Sequence, residues 1–392
     1  MQPTSQQPGC AVQQPWYAVR SVAQLPSPAL LVYPDRVAEN LDRVIRMADG
    51  PQRLRLHVKT HKMAHVAEMM LEHGISKFKC ATIAEAEMLA QCGAPDVLLA
   101  YTLVGPNVAR FVRLVTKYPE TRWSVLVDDT AAADELNNEL INEPNHALDS
   151  AAATADGRLD VYVDIDNGLG RSGMAPDDSA FALYEHLAAA THLAPVGLHV
   201  YDGQIKNRDF AERVEHAEHD FLPVTALRER LVAAGHAPVR VIAGGTPTFP
   251  VHARHADREV SPGTFIFWDY GYHTKFPDLE FLYAAAVLTR VISRPAAGRL
   301  CLDLGYKAIA ADQPQPRAWF PDIPDAEAIV HNEEHLAIKT AHADQFCVGD
   351  AVYAIPWHIC PTTALHKEAI IVRDGVAGER WPVTARDRRI TI

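Results

Sequence analysis

The feature that most constrains this chain is a rhythm. From about residue 30 to residue 267, short apolar runs alternate with longer stretches of helical period, the pattern of repeated βα units on a parallel sheet whose strands are covered on both faces. Candidate strands fall at residues 54–58, 77–81, 97–100, 124–127, 160–164, 196–200, 239–243 and 264–267, with amphipathic segments such as 63–73, 83–91, 108–118 and 210–234 between them. Several of those segments close at a glycine, Gly74, Gly93 or Gly235, the residue best suited to the left-handed turn that ends a helix. Eight strands fit a (β/α)8 barrel of the TIM type, which uses about 250 residues as one unit.

After Gly271 the texture changes. Runs at 281–292, 299–304, 336–340, 351–355 and 368–372 are β-rich and separated by turns. The expected organisation is therefore α/β: a barrel at 27–270 followed by a mainly β C-terminal domain at 271–392. Residues 1–26 read as a flexible leader and N-terminal strand, the extended segment near 18–32 joining the β domain. The acidic, Ala-rich stretch 129–156 reads as a helix followed by a surface loop.

Charge excludes some partners. Lys+Arg 37 against Asp+Glu 49 leaves a formal −12, which provides no footprint for nucleic acid or an anionic membrane surface. No run of about 18 apolar residues occurs, so no membrane-crossing helix is expected. The six cysteines, Cys10, Cys80, Cys92, Cys301, Cys347 and Cys360, form no CxxC pair and no regular framework. With no secretory signal pattern at the N-terminus, this fits a reducing, cytoplasmic location.

In such a barrel chemistry sits where strands end, so the residue after each strand is the informative one. The first candidate strand runs into Lys59-Thr60-His61-Lys62. A lysine at the mouth, partly desolvated and near other cations, has the lowered pKa that makes it a nucleophile toward a carbonyl. The fifth is followed by Gly168-Leu169-Gly170-Arg171-Ser172-Gly173, which offers a guanidinium on a close-packing loop, and the sixth by Tyr201-Asp202-Gly203-Gln204. After the seventh comes Gly244-Gly245-Thr246-Pro247-Thr248, bare backbone N–H groups and hydroxyls in the region where barrels bind phosphate. Finally, His358 and Cys360 follow the β run 351–355. On an extended segment they would share a face and could grip one divalent ion, leaving its other positions open as in a catalytic site.

Taken together, His57-Val58-Lys59-Thr60-His61-Lys62, the Gly-Leu-Gly-Arg-Ser-Gly loop, Gly244-Gly245-Thr246-Pro247, Ser261-Pro262-Gly263-Thr264, Asn332-Glu333-Glu334-His335 and Pro356-Trp357-His358-Ile359-Cys360-Pro361-Thr362 resemble, in content and order, the D-threonine aldolase/D-serine dehydratase family. The resemblance runs from about residue 27 to residue 372. It implies the alanine racemase fold, a barrel bearing pyridoxal 5'-phosphate (PLP) followed by a β domain, in a homodimer. It implies that Lys59 carries PLP, that Arg171 bonds its phenolic oxygen and that Tyr201 lies near its pyridine nitrogen. Gly244, Gly245 and Thr246, with Gly263 and Thr264, would hold the phosphate. His358 and Cys360 would hold a divalent metal, for which a thiolate favours zinc, while manganese and magnesium stay open.

The resemblance also implies a lyase for D-3-hydroxy amino acids. In an aldolase, the metal would acidify the β-hydroxyl as the Cα–Cβ bond cleaves, so that D-threonine gives glycine and acetaldehyde. In a D-serine or D-3-hydroxyaspartate dehydratase, Lys59 would take the Cα proton and the β-hydroxyl would depart, ending in a keto acid and ammonia. Gly197-Leu198-His199-Val200-Tyr201-Asp202-Gly203 and Cys360-Pro361-Thr362-Thr363-Ala364-Leu365 resemble the aldolase branch. Many relatives carry histidine where this chain has Gln204, so His61 is a substitute candidate for the base. An amino-acid racemase is a third reading; it would need a second acid/base, Tyr306 or Tyr353, and no metal.

Overall fold

The structure is a computed structural model and describes residues 14–142, 157–236 and 238–392. The first 13 residues of the expected leader and the expected loop at 143–156 lie outside the described residues. The chain enters through β1 (Ala29–Val32) and builds eight parallel strands in sequential order: β2 (Arg55–His57), β3 (Lys77–Cys80), β4 (Asp96–Thr102), β5 (Arg122–Val127), β6 (Leu159–Ile165), β7 (Leu193–Val200), β8 (Arg240–Ala243) and β9 (Arg258–Val260). A parallel bridge between Leu54 and Val260 links the two ends of the sheet, which curls into a nearly closed barrel.

Local chemistry sets the helices between these strands. The helix Ile83–Gln91 starts where the Thr82 hydroxyl accepts the Glu85 N–H, which satisfies one of the free donors of the first turn. Outward residues such as Phe78, Cys80, Val97, Val125 and Val127 are buried against the helical layer.

The inward residues form three layers, as the two-residue period of a strand requires. At the floor, Arg55 pairs with Asp96 at 2.6 Å and with Glu259 at 2.8 Å, Lys77 with Glu259 at 2.5 Å, and Arg122 with Asp160 at 2.5 Å. Above them Leu98, Leu126, Tyr162 and Ile242 pack as a small apolar cluster. The top layer holds His57, Lys79, Ala100, Asp164 and His199, which line the mouth.

The second sheet takes β1 together with β10 (Ala285–Ala296), β11 (Arg299–Leu302), β12 (Ala318–Trp319), β13 (Glu327–His331), β14 (Leu336–Lys339), β15 (Ala351–Pro356), β16 (Glu368–Arg373) and β17 (Val376–Pro382). Its main path is β13-β14-β11-β10-β1-β16-β17, with β15 paired to β10 and β12. β1 runs parallel to β16 and antiparallel to β10, so the N-terminal strand lies beyond residue 26, inside the range assigned to the barrel.

One strand was misplaced by pattern. Residues 264–267 were expected as the eighth strand, but Thr264–Ile266 form a turn of 3-10 helix and β9 is the eighth. The apolar Phe265, Ile266 and Phe267 are fully buried as packing residues. The true strand reads Arg-Glu-Val because Glu259 points inward to the charged floor.

Candidate active site

Where β2 ends, Val58–Thr60 turns as a 3-10 helix, and the Lys59 N–H donates to His57 Nδ1 at 3.3 Å. The turn brings Lys59 into a cavity with His57, Lys79, Arg171, His199, Tyr201, Gly245, Thr246, Gly263 and Thr264. An adjoining cavity of about 450 Å³ shares Lys59, Tyr201, Thr264 and Tyr272 with it and reaches His358 and Cys360. The residues after β2, β6, β7, β8 and β9 thus meet at one mouth, joined by a segment of the β domain.

The Tyr201 ring is the hub. Lys59 Nζ lies 5.6 Å, Lys79 Nζ 6.0 Å and the Arg171 guanidinium carbon 4.8 Å from its centroid. Gly203 and Gly245 make room for it, since a Cβ on either would come within 2.6 and 2.8 Å of the ring. Among the described residues none of the three cations has a carboxylate within ion-pair distance. A chain with a formal charge of −12 that leaves three cations unpaired in one cavity is built to receive an anion.

The far wall fits a phosphate. The N–H groups of Gly263 and Thr264 both donate to Thr246 Oγ1 at 3.0 Å, so two amides converge on one oxygen, the arrangement of an anion nest. Gly244 lies one step behind: a Cβ there would come within 2.6 Å of the His252 ring. His252 Nε2 donates to Asp202 at 2.7 Å, its Nδ1 accepting from Arg258, and Asp202 also accepts the Thr248 hydroxyl at 2.6 Å. This ties the Tyr201 loop to the glycine turn. The cations, the amide nest and the lysine at the mouth together fit PLP.

Lys79, His199 and Asp164 carried no signal at strand ends, because all three lie within strands. Their inward direction in a closed barrel is what places them here. Asp164 Oδ1 accepts from His199 Nδ1 at 2.7 Å, and His199 Nε2 lies 3.4 Å from Lys79 Nζ. Burial, then the charge of Lys59, push the Lys79 amine down to about 7. Burial and the same two lysines hold His57 well below the ordinary histidine value.

His61, the candidate base, does not reach this cavity. The 3-10 turn rotates it away from Lys59, so the ring is fully buried against Phe267 and accepts the Met63 N–H at Nδ1. Burial, with some help from the Lys62 charge, drops it to about 3, and a neutral imidazole sealed in the core cannot serve the mouth. Gln204 is also turned aside, donating to the Asn167 carbonyl and to Asp220.

The His358/Cys360 pair differs from its expected geometry. Rather than lying along an extended segment, His358 caps the helix Ile359–Leu365 and Cys360 sits in its first turn, where the following Pro361 is well tolerated. The side chains still meet. Burial opposes charge on both, yet their mutual hydrogen bond and attraction raise His358 to about 9 and lower the Cys360 thiol. Asp312 takes the other edge of the imidazole, its Oδ2 2.6 Å from His358 Nδ1, which leaves Nε2 as the nitrogen that could take a ligand. The Cys360 sulfur also touches Thr60 Oγ1 at 3.2 Å and Thr264 Oγ1 at 3.5 Å. Among the described residues no group of three or more His, Cys, Asp or Glu side chains is arranged around a common metal position. An imidazole and a thiolate alone fit an open site completed by water or substrate.

Residues 32–271 match the family model described as alanine racemase, N-terminal domain. The chain belongs to that family. Residues 284–372 match a second model, the putative serine dehydratase domain. The chain is 27% identical over 384 residues to a D-threonine aldolase of Arthrobacter sp, covering 96% of this chain and 97% of that protein. It is also 27% identical over 378 residues to a 3-hydroxy-D-aspartate aldolase of Paracoccus denitrificans (strain Pd 1222), covering 93% of each. The crystal structure of D-threonine aldolase from Filomicrobium marinum superposes with a TM-score of 0.82 at 26% identity, over 93% of this chain and 97% of that one. The alanine racemase fold of a barrel followed by a mainly β domain is thereby established. Among the described residues no helix is long and apolar enough to cross a membrane.

Proposed function

We propose that this chain is a PLP-dependent lyase for D-3-hydroxy amino acids and that it cleaves D-threonine to glycine and acetaldehyde. The observation that carries the reading is the adjacency of two seats. A cavity with three unpaired cations and an amide nest adjoins the cavity lined by the His358/Cys360 pair, with Lys59, Tyr201, Thr264 and Tyr272 common to both. The aldolases among its relatives support the choice of reaction.

In this reading Lys59 holds PLP through its amine. Arg171 faces the phenolic oxygen and Tyr201 the pyridine nitrogen, while Gly244, Gly245, Thr246, Gly263 and Thr264 hold the phosphate. Bound PLP supplies an electron sink for whichever bond at Cα stands perpendicular to its ring. His358 and Cys360 hold a divalent ion, and that ion supplies a Lewis acid for the β-hydroxyl. Asp312 fixes the His358 tautomer, and the Thr60 and Thr264 hydroxyls steady the sulfur. The D-configured substrates named for its aldolase relatives support the D series for this chain. We propose a homodimer in the cytoplasm, with the β domain of each chain against the other's mouth.

Product analysis tests this. D-threonine is expected to yield glycine and acetaldehyde, and L-threonine nothing. Deuterium at Cα is expected to leave the rate nearly unchanged, since the cleaved bond is Cα–Cβ. A keto acid with ammonia as main products, together with a primary isotope effect from removal of the Cα proton by Lys59, would overturn the aldolase reading in favour of a dehydratase.

A further inference from the structure

Among the described residues, Lys79 is the one Lys or Arg lining the Lys59 cavity that the family resemblance does not assign. It lies on β3, 3% exposed. Among the described residues no carboxylate lies within ion-pair distance of it: Asp164 is linked to it through His199, and Asp202 acts only at longer range. A buried ammonium without a counter-charge costs several kcal/mol unless something else supplies the charge.

The hydrogen-bond chain fixes its direction. Ionised Asp164 only accepts, so His199 carries its proton on Nδ1 and presents Nε2 as an acceptor. Lys79 therefore spends one N–H on His199. The Ser172 hydroxyl takes the second oxygen of Asp164 at 3.1 Å, which holds the carboxylate in place. The remaining Lys79 N–H groups belong to the cavity it lines with Lys59 and Arg171.

Position around the barrel selects the group they meet. The amide nest is built after β8 and β9, whereas Lys79 projects from β3 and Arg171 from the loop after β6, each two strands from the nearer nest strand, and both cations reach the Tyr201 ring. We propose that Lys79, held by the Asp164–His199 chain, is a cofactor-contacting residue that provides, beside Arg171, a second cation to the ring-oxygen end of PLP. This rests on the reading that PLP occupies the cavity on Lys59.

The experiment compares Lys79→Met and Lys79→Arg with the unaltered protein, each stripped of cofactor and then titrated separately with PLP, pyridoxal and inorganic phosphate. Loss of one charge-assisted hydrogen bond is expected to weaken PLP and pyridoxal about 10- to 100-fold in Lys79→Met, to leave inorganic phosphate unchanged, and to be largely rescued in Lys79→Arg. At one fixed pH, the Lys59-bound cofactor of Lys79→Met is expected to shift its absorbance toward the form protonated on the ring oxygen. A merely structural lysine would not move that balance. Borohydride followed by peptide mapping should find the label on Lys59 in every protein. If Lys79→Met does not fold, Asp164→Asn, which releases His199, is expected to give the same spectral shift in smaller measure. Equal pyridoxal affinity and an unchanged spectrum would overturn the inference, as would a loss confined to phosphate. Failure of the unaltered protein to take PLP on Lys59 would instead overturn the cofactor reading itself.

Discussion

Replacing Arg55 by methionine tests the layered barrel at the end away from the chemistry. Arg55 is 1% exposed, donates to Asp96 through both terminal nitrogens at 2.6 and 3.3 Å, and reaches Glu259 through Nε at 2.8 Å. Asp96 and Glu259 are themselves 18% and 15% exposed, so the variant would strand two shielded carboxylates, with Lys77 the remaining direct ion-pair partner among the described residues. Removing one partner of a buried ionic group costs about 3–5 kcal/mol. In a chain of this size that corresponds to a fall of roughly 4–6 °C in the unfolding midpoint. The pH dependence has a definite sign. Burial raises the Glu259 carboxyl, but Arg55 and Lys77 outweigh it and hold it below the ordinary range. Its contribution is therefore complete above the unfolded pKa of about 4.3 and is lost as pH falls through the lower folded value. The deficit of Arg55→Met is expected to be full at neutral pH and to shrink below about pH 4. Arg55→Lys, which keeps the charge but not the fork, should fall between. Urea titrations followed by circular dichroism at several pH values, with KM measured alongside, provide the check. A deficit below about 1 kcal/mol at neutral pH, one that persists unchanged into acid, or a large change in KM would refute the reasoning.

Two further outcomes bear on the proposed chemistry. His358→Ala and Cys360→Ala are each expected to abolish turnover and to lower bound metal by elemental analysis, while PLP absorbance and the unfolding midpoint stay near those of the unaltered protein; full activity in metal-free protein would rule out the metal role. Sedimentation of active protein is expected to give twice 43.2 kDa, and an active species at the monomer mass would remove the dimer from the proposal.

The parts of the site legible in the sequence were those at strand ends. Lys59, Arg171, Tyr201 and the Gly244-Gly245-Thr246 turn each follow a candidate strand, and closure of the barrel brings successive strand ends to one rim. Residues inside strands were hidden. Lys77-Phe78-Lys79-Cys80 alternates charge and apolarity like a strand with one wet face. In a parallel sheet covered on both sides that alternation is itself anomalous, and it is the signal that could have exposed Lys79. Asp312 had no local mark, because its bond to His358 spans 46 residues. His61 lies outside the mouth because the 3-10 turn after β2 folds its ring into the core, which the residue types alone do not show. The eighth strand was missed because the charged floor put polar residues where an apolar run was sought.

The Cys360 sulfur, in contact with Thr60 and Thr264, marks a seam between two separately inheritable parts. Everything proposed to seat PLP belongs to the barrel, and both proposed metal ligands belong to the β domain. Substitutions along the helix Ile359–Leu365 can therefore redirect which bond breaks without rebuilding the place where electrons are stored. A lineage using this architecture can change its product by editing a few residues on one side of that seam. On the proposed reading the Lys59 side has no such freedom, since any shift there would displace the cofactor for every reaction.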